Sequence, residues 1–133
     1  MKTATLYVVA GVVTGLHNFY RIMDMVNGAP VPLLNCAALL GSVTLLAAAV
    51  LVLFRPRVAT KVGLMGSLLS WVLYAPLLIV SFFMPFSAWM DIRSYLSYHE
   101  FIPLVGVILG PILIVATTVN SILLVRRHRI PAA

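Results

Sequence analysis

Apolar residues run almost unbroken through four stretches of the chain, about residues 3–20, 33–54, 62–84 and 103–125, and polar or turn-forming residues collect between them. None of the four stretches contains Lys, Arg, Asp or Glu. A helix needs about 20 predominantly apolar residues to cross roughly 30 Å of hydrocarbon. A helix of a soluble bundle would instead keep a polar face at helical spacing, and Val43–Phe54 (VTLLAAAVLVLF) has none. The pattern predicts an all-α fold: a single-domain integral membrane four-helix bundle, up-down-up-down, over residues 1–133. The expected joints are a turn-rich loop (23–32, with Asn27-Gly28 and two prolines), a short basic loop (55–61), and a longer segment (85–102).

Composition supports this reading. The chain is 62% hydrophobic and 9% charged, against roughly 45–50% and about 25% for ordinary globular chains. Its mean hydropathy is +1.10. Intrinsic disorder requires the opposite balance. A net charge of +6 does not make a nucleic-acid reader, because the cations flank apolar runs rather than gather on one solvated face. A single Cys excludes an internal disulfide and a Cys-based zinc cluster.

The charges also predict an orientation. Lys2, Arg55, Arg57, Lys61, Arg126, Arg127 and Arg129 fall on one side, seven cations with no acid. Arg21 and Arg93 with Asp24, Asp91 and Glu100 fall on the other, two minus three, or −1, which together give the +6. Cytoplasmic loops collect Lys and Arg. Both termini are therefore expected in the cytoplasm, with the protein in a plasma or inner membrane. The first span, although preceded by Lys2, lacks a clear small-x-small cleavage site and is read as retained.

Helices in a bilayer associate by close approach at small residues and by interhelical hydrogen bonds. Gly11 and Gly15 form a GxxxG in the first span, and Gly106 and Gly110 form one in the fourth. Small pairs at the same spacing occur in the second (Ala37/Gly41) and third (Gly66/Ser70) spans. Each span thus has a candidate packing seam, while Leu46 is read as facing lipid. Pro76 and Pro111 are read as features of helix shape, with a gating hinge as the alternative. In segment 85–102, Phe86, Trp89, Ile92 and Leu96 recur at helical spacing. Aromatic residues favour the headgroup level, so a short amphipathic interfacial helix is expected between the third and fourth spans.

Candidate chemistry concentrates at the predicted outer end. His17, Arg21 and Asp24 share one face of the first helix at i, i+4, i+7. With Asn18, Asp91, His99 and Glu100 they form a candidate outer polar cluster. Ionisable groups near membrane depth are costly and carry a functional hypothesis by default. Here, local pairing of His17 with Asp24 or Glu100 is the expected outcome. Two imidazoles, His17 and His99, are too few converging ligands to predict a metal or haem site, and no cofactor is expected. Asn120, Thr117, Thr118 and Ser121 make a polar patch expected to bond to backbone or across helices. Arg126, Arg127 and Arg129 suit anionic lipid headgroups. The leading functional expectation is a non-catalytic accessory or structural subunit of a larger membrane assembly. Its partners would be the bilayer and other membrane subunits or further copies, with no nucleic acid. The alternatives are a small homo-oligomeric transporter or channel with an outer polar vestibule, and a haem- or metal-binding membrane redox protein.

Overall fold

A computed structural model describes residues 2–25, 33–83, 93 and 101–129. It contains four long helices: α1 (Lys2–Met25), α2 (Leu33–Leu51), α3 (Pro56–Phe83) and α4 (Phe101–Arg129), and no strand occurs among the described residues. Three of them are long and apolar enough to cross a membrane, within Leu33–Leu51, Pro56–Ile79 and Val105–His128. The first helix falls below that level of hydropathy, because His17 and Asn18 interrupt its apolar run. The expected interfacial helix lies almost wholly outside the described residues.

The first, third and fourth helices run longer than their apolar stretches, whereas α2 stops three residues short of its own, and the joint at 55–61 differs most from expectation. Residues 55–61 are not a loop. The second helix closes in a tight turn, with Leu53 N–H donating to Val50 O and Arg55 N–H to Leu51 O. The third begins at once on Pro56. Proline is pre-set for the first helical position and needs no donor there, and Ala59 N–H already donates to Arg55 O at 2.9 Å. Arg57 and Lys61 therefore decorate the first turns of α3. Pro103 likewise falls in the first turn of α4, where its missing N–H costs nothing. Both α3 and α4 continue as helix through Pro76 and Pro111.

Each helix packs on the next in the order α1–α2–α3–α4, and α4 returns to α1. Gly11 meets Leu46 while Gly15 meets Ser42, so α1 and α2 run in opposite directions. Leu46 is thus not a lipid-facing residue; it is partly buried and covers the bare backbone of Gly11.

The interior is small and polar, and the exterior is large and apolar. Thr14, Asn18, Ser67, Ser70, Thr117 and Ser121 are fully buried beside Ala10, Ala38, Leu45 and Ala48. Leu16, Phe19, Leu40, Met65, Ile79, Ile112 and Leu123 are among the many large side chains turned outward. A soluble domain sorts residues the other way, with charged and polar groups outside.

Glycines set the approach of the helices. A Cβ at position 41 would lie 2.6 Å from Ser70 Oγ and 2.7 Å from Gly66 O, so α2 and α3 meet almost backbone to backbone. Only Gly permits that approach.

Candidate functional site

Two fully buried tyrosines anchor the polar interior at different levels. Tyr7 of α1 lays its ring against the bare Cα of Gly63 on α3, and its hydroxyl pairs with Ser121 Oγ on α4 at 2.8 Å. Tyr74 of α3 lies against Gly110 of α4, where a Cβ would come within 2.7 Å of the ring. In both places a glycine leaves the volume that an aromatic ring occupies.

Tyr74 leads into the candidate site. Its hydroxyl is 2.9 Å from His17 Nδ1 and accepts from Asn18 Nδ2 at 3.3 Å. The same Asn18 amide donates to Thr14 O at 2.7 Å, and Asn18 Oδ1 accepts from Asn35 Nδ2 of α2 at 2.9 Å. An amide nitrogen can only donate and a phenol has one proton. Asn35 donates to Asn18, and Asn18 donates to Tyr74. Placing the phenol proton in a hydrogen bond to His17 then requires the tautomer protonated on Nε2, with Nδ1 accepting from Tyr74. Three helices contribute side chains to this chain of bonds. The fourth contributes a gap: Gly106 faces the His17 ring so closely that any Cβ there would collide with it.

Below this cluster, Thr14 Oγ1 and Ser42 Oγ lie 2.7 Å apart. Each also reaches its own helix, Thr14 to Ala10 O at 2.6 Å and Ser42 to Ala38 O at 2.9 Å. Two protons serve three contacts, so the link between α1 and α2 is shared rather than additional. Trp71 Nε1 donates to Thr118 Oγ1 at 2.8 Å, tying α3 to α4. Of the patch on α4, Thr117, Thr118 and Ser121 are bonded to backbone or across helices, whereas Asn120 Nδ2 is buried without a hydrogen-bond partner among the described residues.

The residues expected in the outer cluster separate into two groups. His17 and Asn18 are brought together with each other and buried, 3% and 0% exposed. Arg21 is partly buried one turn further along α1. Asp91, His99 and Glu100 lie outside the described residues, as does the Asp24 side chain. The described partner of His17 Nδ1 is a phenol, not the acid the sequence suggested. Among the described residues, no group of three or more His, Cys, Asp or Glu converges as a metal site would require. Cys36 is a partly buried free thiol. Gly11, Gly106 and Gly110 are tight contacts, while Gly15 leaves ordinary room, with Ser42 Cβ at 3.5 Å from a Cβ placed there. Arg126 and Arg127 are exposed on the last turns of α4, whose helix includes Arg129.

Sequence reasoning missed Tyr74, Tyr7 and Asn35. All three stand inside apolar stretches, Tyr7 in the first, Asn35 in the second and Tyr74 in the third. A usable signal existed in pairing each tyrosine with a glycine on another span. The chain matches no protein-family model, no curated protein and no solved structure.

Proposed function

We propose that this chain is an integral membrane four-helix bundle, up-down-up-down, with both termini in the cytoplasm, acting as a non-catalytic structural subunit of a larger membrane assembly. Three helices have the length and hydropathy of spans. The first falls short of that hydropathy, and its reading as a span rests on its outward face, where Val8, Val12, Leu16, Phe19 and Met23 are exposed. The polar residues that lower its hydropathy, His17 and Asn18, are turned inward. Seven cations at one end and a net −1 at the other support the orientation.

The observation that carries the subunit reading is the closure of the interior. Tyr7, the Gly41–Gly66 contact and Tyr74 fill the space between helices at successive levels, and the cluster hydroxyls and amides bond to one another. A permeation path along the axis of one copy would have to break these contacts. What the molecule offers to a partner is its apolar exterior.

Purification in mild detergent tests this, with an absorption spectrum and reconstitution of the chain alone in liposomes. The expected result is a stoichiometric complex with other membrane polypeptides and no solute flux from the isolated chain. Flux that His17→Ala reduces would replace the subunit with a transporter, and a haem-like band lost in that variant would replace it with a redox protein. Orientation is tested separately by cysteine labelling at Val58, which is exposed where its neighbour Ala59 is fully buried, and at Ser94, in a Cys36→Ser background. An impermeant reagent should reach position 94 and not position 58 in intact cells.

A further inference from the structure

Where α1 begins and α2 ends, the two helices leave a groove of about 290 Å³ lined by Ala4, Thr5, Val8, Val52 and Leu53. Its walls are almost wholly aliphatic, and Leu53 at its rim is 76% exposed. The groove arises because α2 stops at Leu51 and turns away through 52–54, while α1 continues beside it with the small side chain of Ala4. Cations stand at this end of the molecule. Lys2 lies two residues before Ala4, and Arg55 two residues after Leu53, with Arg57 following; all three are exposed. The nearest acid in the sequence is Asp24, at the far end of α1.

An apolar groove ending under cations that have no acidic partner among the described residues matches one chemistry, a long hydrocarbon joined to an anion. We infer that this groove holds an acyl chain of an anionic phospholipid, with the phosphate between Lys2 and Arg55. The inference rests on the membrane reading above. It names a site distinct from the arginines at the end of α4, because the α1–α2 groove supplies a slot for the chain as well as charge for the head. Polar groups alone would hold any headgroup briefly; the slot gives the lipid a fixed position. Juxtamembrane cations each favour an anionic lipid surface by about 1 kcal/mol, roughly fivefold apiece, so two together predict a preference of roughly twenty-five-fold.

The full chain is reconstituted in phosphatidylcholine vesicles carrying a trace of photoactivatable lipid, either phosphatidylglycerol or phosphatidylcholine with the reactive group on the acyl chain. Labelled peptides are then mapped. Residues 4–8 and 52–53 should be labelled roughly twenty-five-fold more by the anionic probe. Lys2→Gln combined with Arg55→Gln should bring that ratio close to one while helix content, read by circular dichroism, stays unchanged. Excess inorganic phosphate should leave the ratio intact, and its collapse would point to a free anion instead of a lipid. Equal labelling by both probes, or a ratio indifferent to the double variant, overturns the site. Labelling of the outer face around Ile112 and Val119 without the groove overturns the site and leaves the membrane reading standing. Labelling nowhere on the chain overturns both.

Discussion

Tyr7 and Tyr74 occupy equivalent settings and do different things. Both are fully buried, both lay a ring on a glycine of another helix, and both satisfy the hydroxyl across a helix interface. The Tyr7 hydroxyl ends its chain at Ser121, a two-residue closure between α1 and α4. The Tyr74 hydroxyl sits in the middle of a directed series that starts at Asn35 and ends at an imidazole. The same packing device thus serves as a simple tie at one level and as the hub of a network at the other. The difference lies in the neighbours. Residues facing Tyr7 carry one proton to exchange, whereas His17 and Asn18 bring an ionisable ring and an amide with both donor and acceptor atoms. Networks of that kind respond to the loss of one member more than isolated pairs do.

The contacts that position both tyrosines should break first. Gly41→Leu would drive a side chain into Gly66 O and Ser70, where the obstacle is backbone and cannot move aside. Overpacking a tight core costs typically 1–3 kcal/mol, and more where nothing yields. Loss of the folded, monodisperse protein in detergent is the expected outcome. Gly106→Leu should do comparable damage by expelling the His17 ring, and its effect should be confined to the Tyr74 level. Retained Tyr7–Ser121 packing with a disordered His17, visible by NMR of labelled side chains, would sharpen the contrast. Wild-type thermal stability in both variants would mean that the close approaches are incidental.

Why the glycines were partly legible and the network was not follows from what a linear pattern encodes. Gly11, Gly106 and Gly110 announce themselves by spacing along one helix, and their contacts are tight. Gly15 has the same spacing and no such contact, because Ser42 opposite it is small and set back. The spacing reports that two small residues share a face; it carries nothing about what stands across from them. Leu46 shows the converse. It reads as one more aliphatic residue, yet it fills the space above Gly11. The helices themselves were readable, since unbroken apolar length fixes them. The boundaries were read less well: α1 runs on to Met25, α2 stops at Leu51, and most of the basic stretch 55–61, expected as a loop, is the start of the helix that Pro56 opens. His17 stands out in the sequence as a polar residue at membrane depth, and the partners its pattern suggests are acids, whereas the described partner of Nδ1 is Tyr74. Tyr74 sits 57 residues away, and only the three-dimensional register of α1 against α3 brings the two together.

Removing members of the network should rank next in size. His17→Ala takes away the terminal acceptor and opens a void under Gly106, leaving the Tyr74 proton unmatched. Leaving a buried group unpaired costs about 1–3 kcal/mol. Tyr74→Phe should cost a similar amount, because it strands both His17 Nδ1 and one Asn18 contact. A double variant His17→Ala/Tyr74→Phe should then lose less than the sum of the singles, since each removes the same bond. Additive losses in denaturant unfolding would show that the two residues act independently and that the directed series has no energetic meaning.

Tyr7→Phe should have the smallest effect of the tyrosine substitutions and is the control that gives the comparison its scale. The ring stays on Gly63, so packing is preserved, and only the bond to Ser121 is lost. Ser121 can turn its hydroxyl to a carbonyl of its own helix, as Thr117 and Thr118 already do with Leu113 O and Ile114 O. The protein therefore has a ready substitute partner, which the Tyr74 level lacks for an imidazole. Interhelical hydrogen bonds in membrane proteins average about 0.6 kcal/mol in double-mutant cycles, and the loss here should fall near that value. The measurement is the difference between Tyr7→Phe and Tyr74→Phe under identical detergent and denaturant conditions. A gap on the order of 1 kcal/mol or more, Tyr74 being the costlier, supports a hub at one level and a tie at the other. Equal costs would reduce the two tyrosines to the same structural device and remove the reason for treating the His17 level as special.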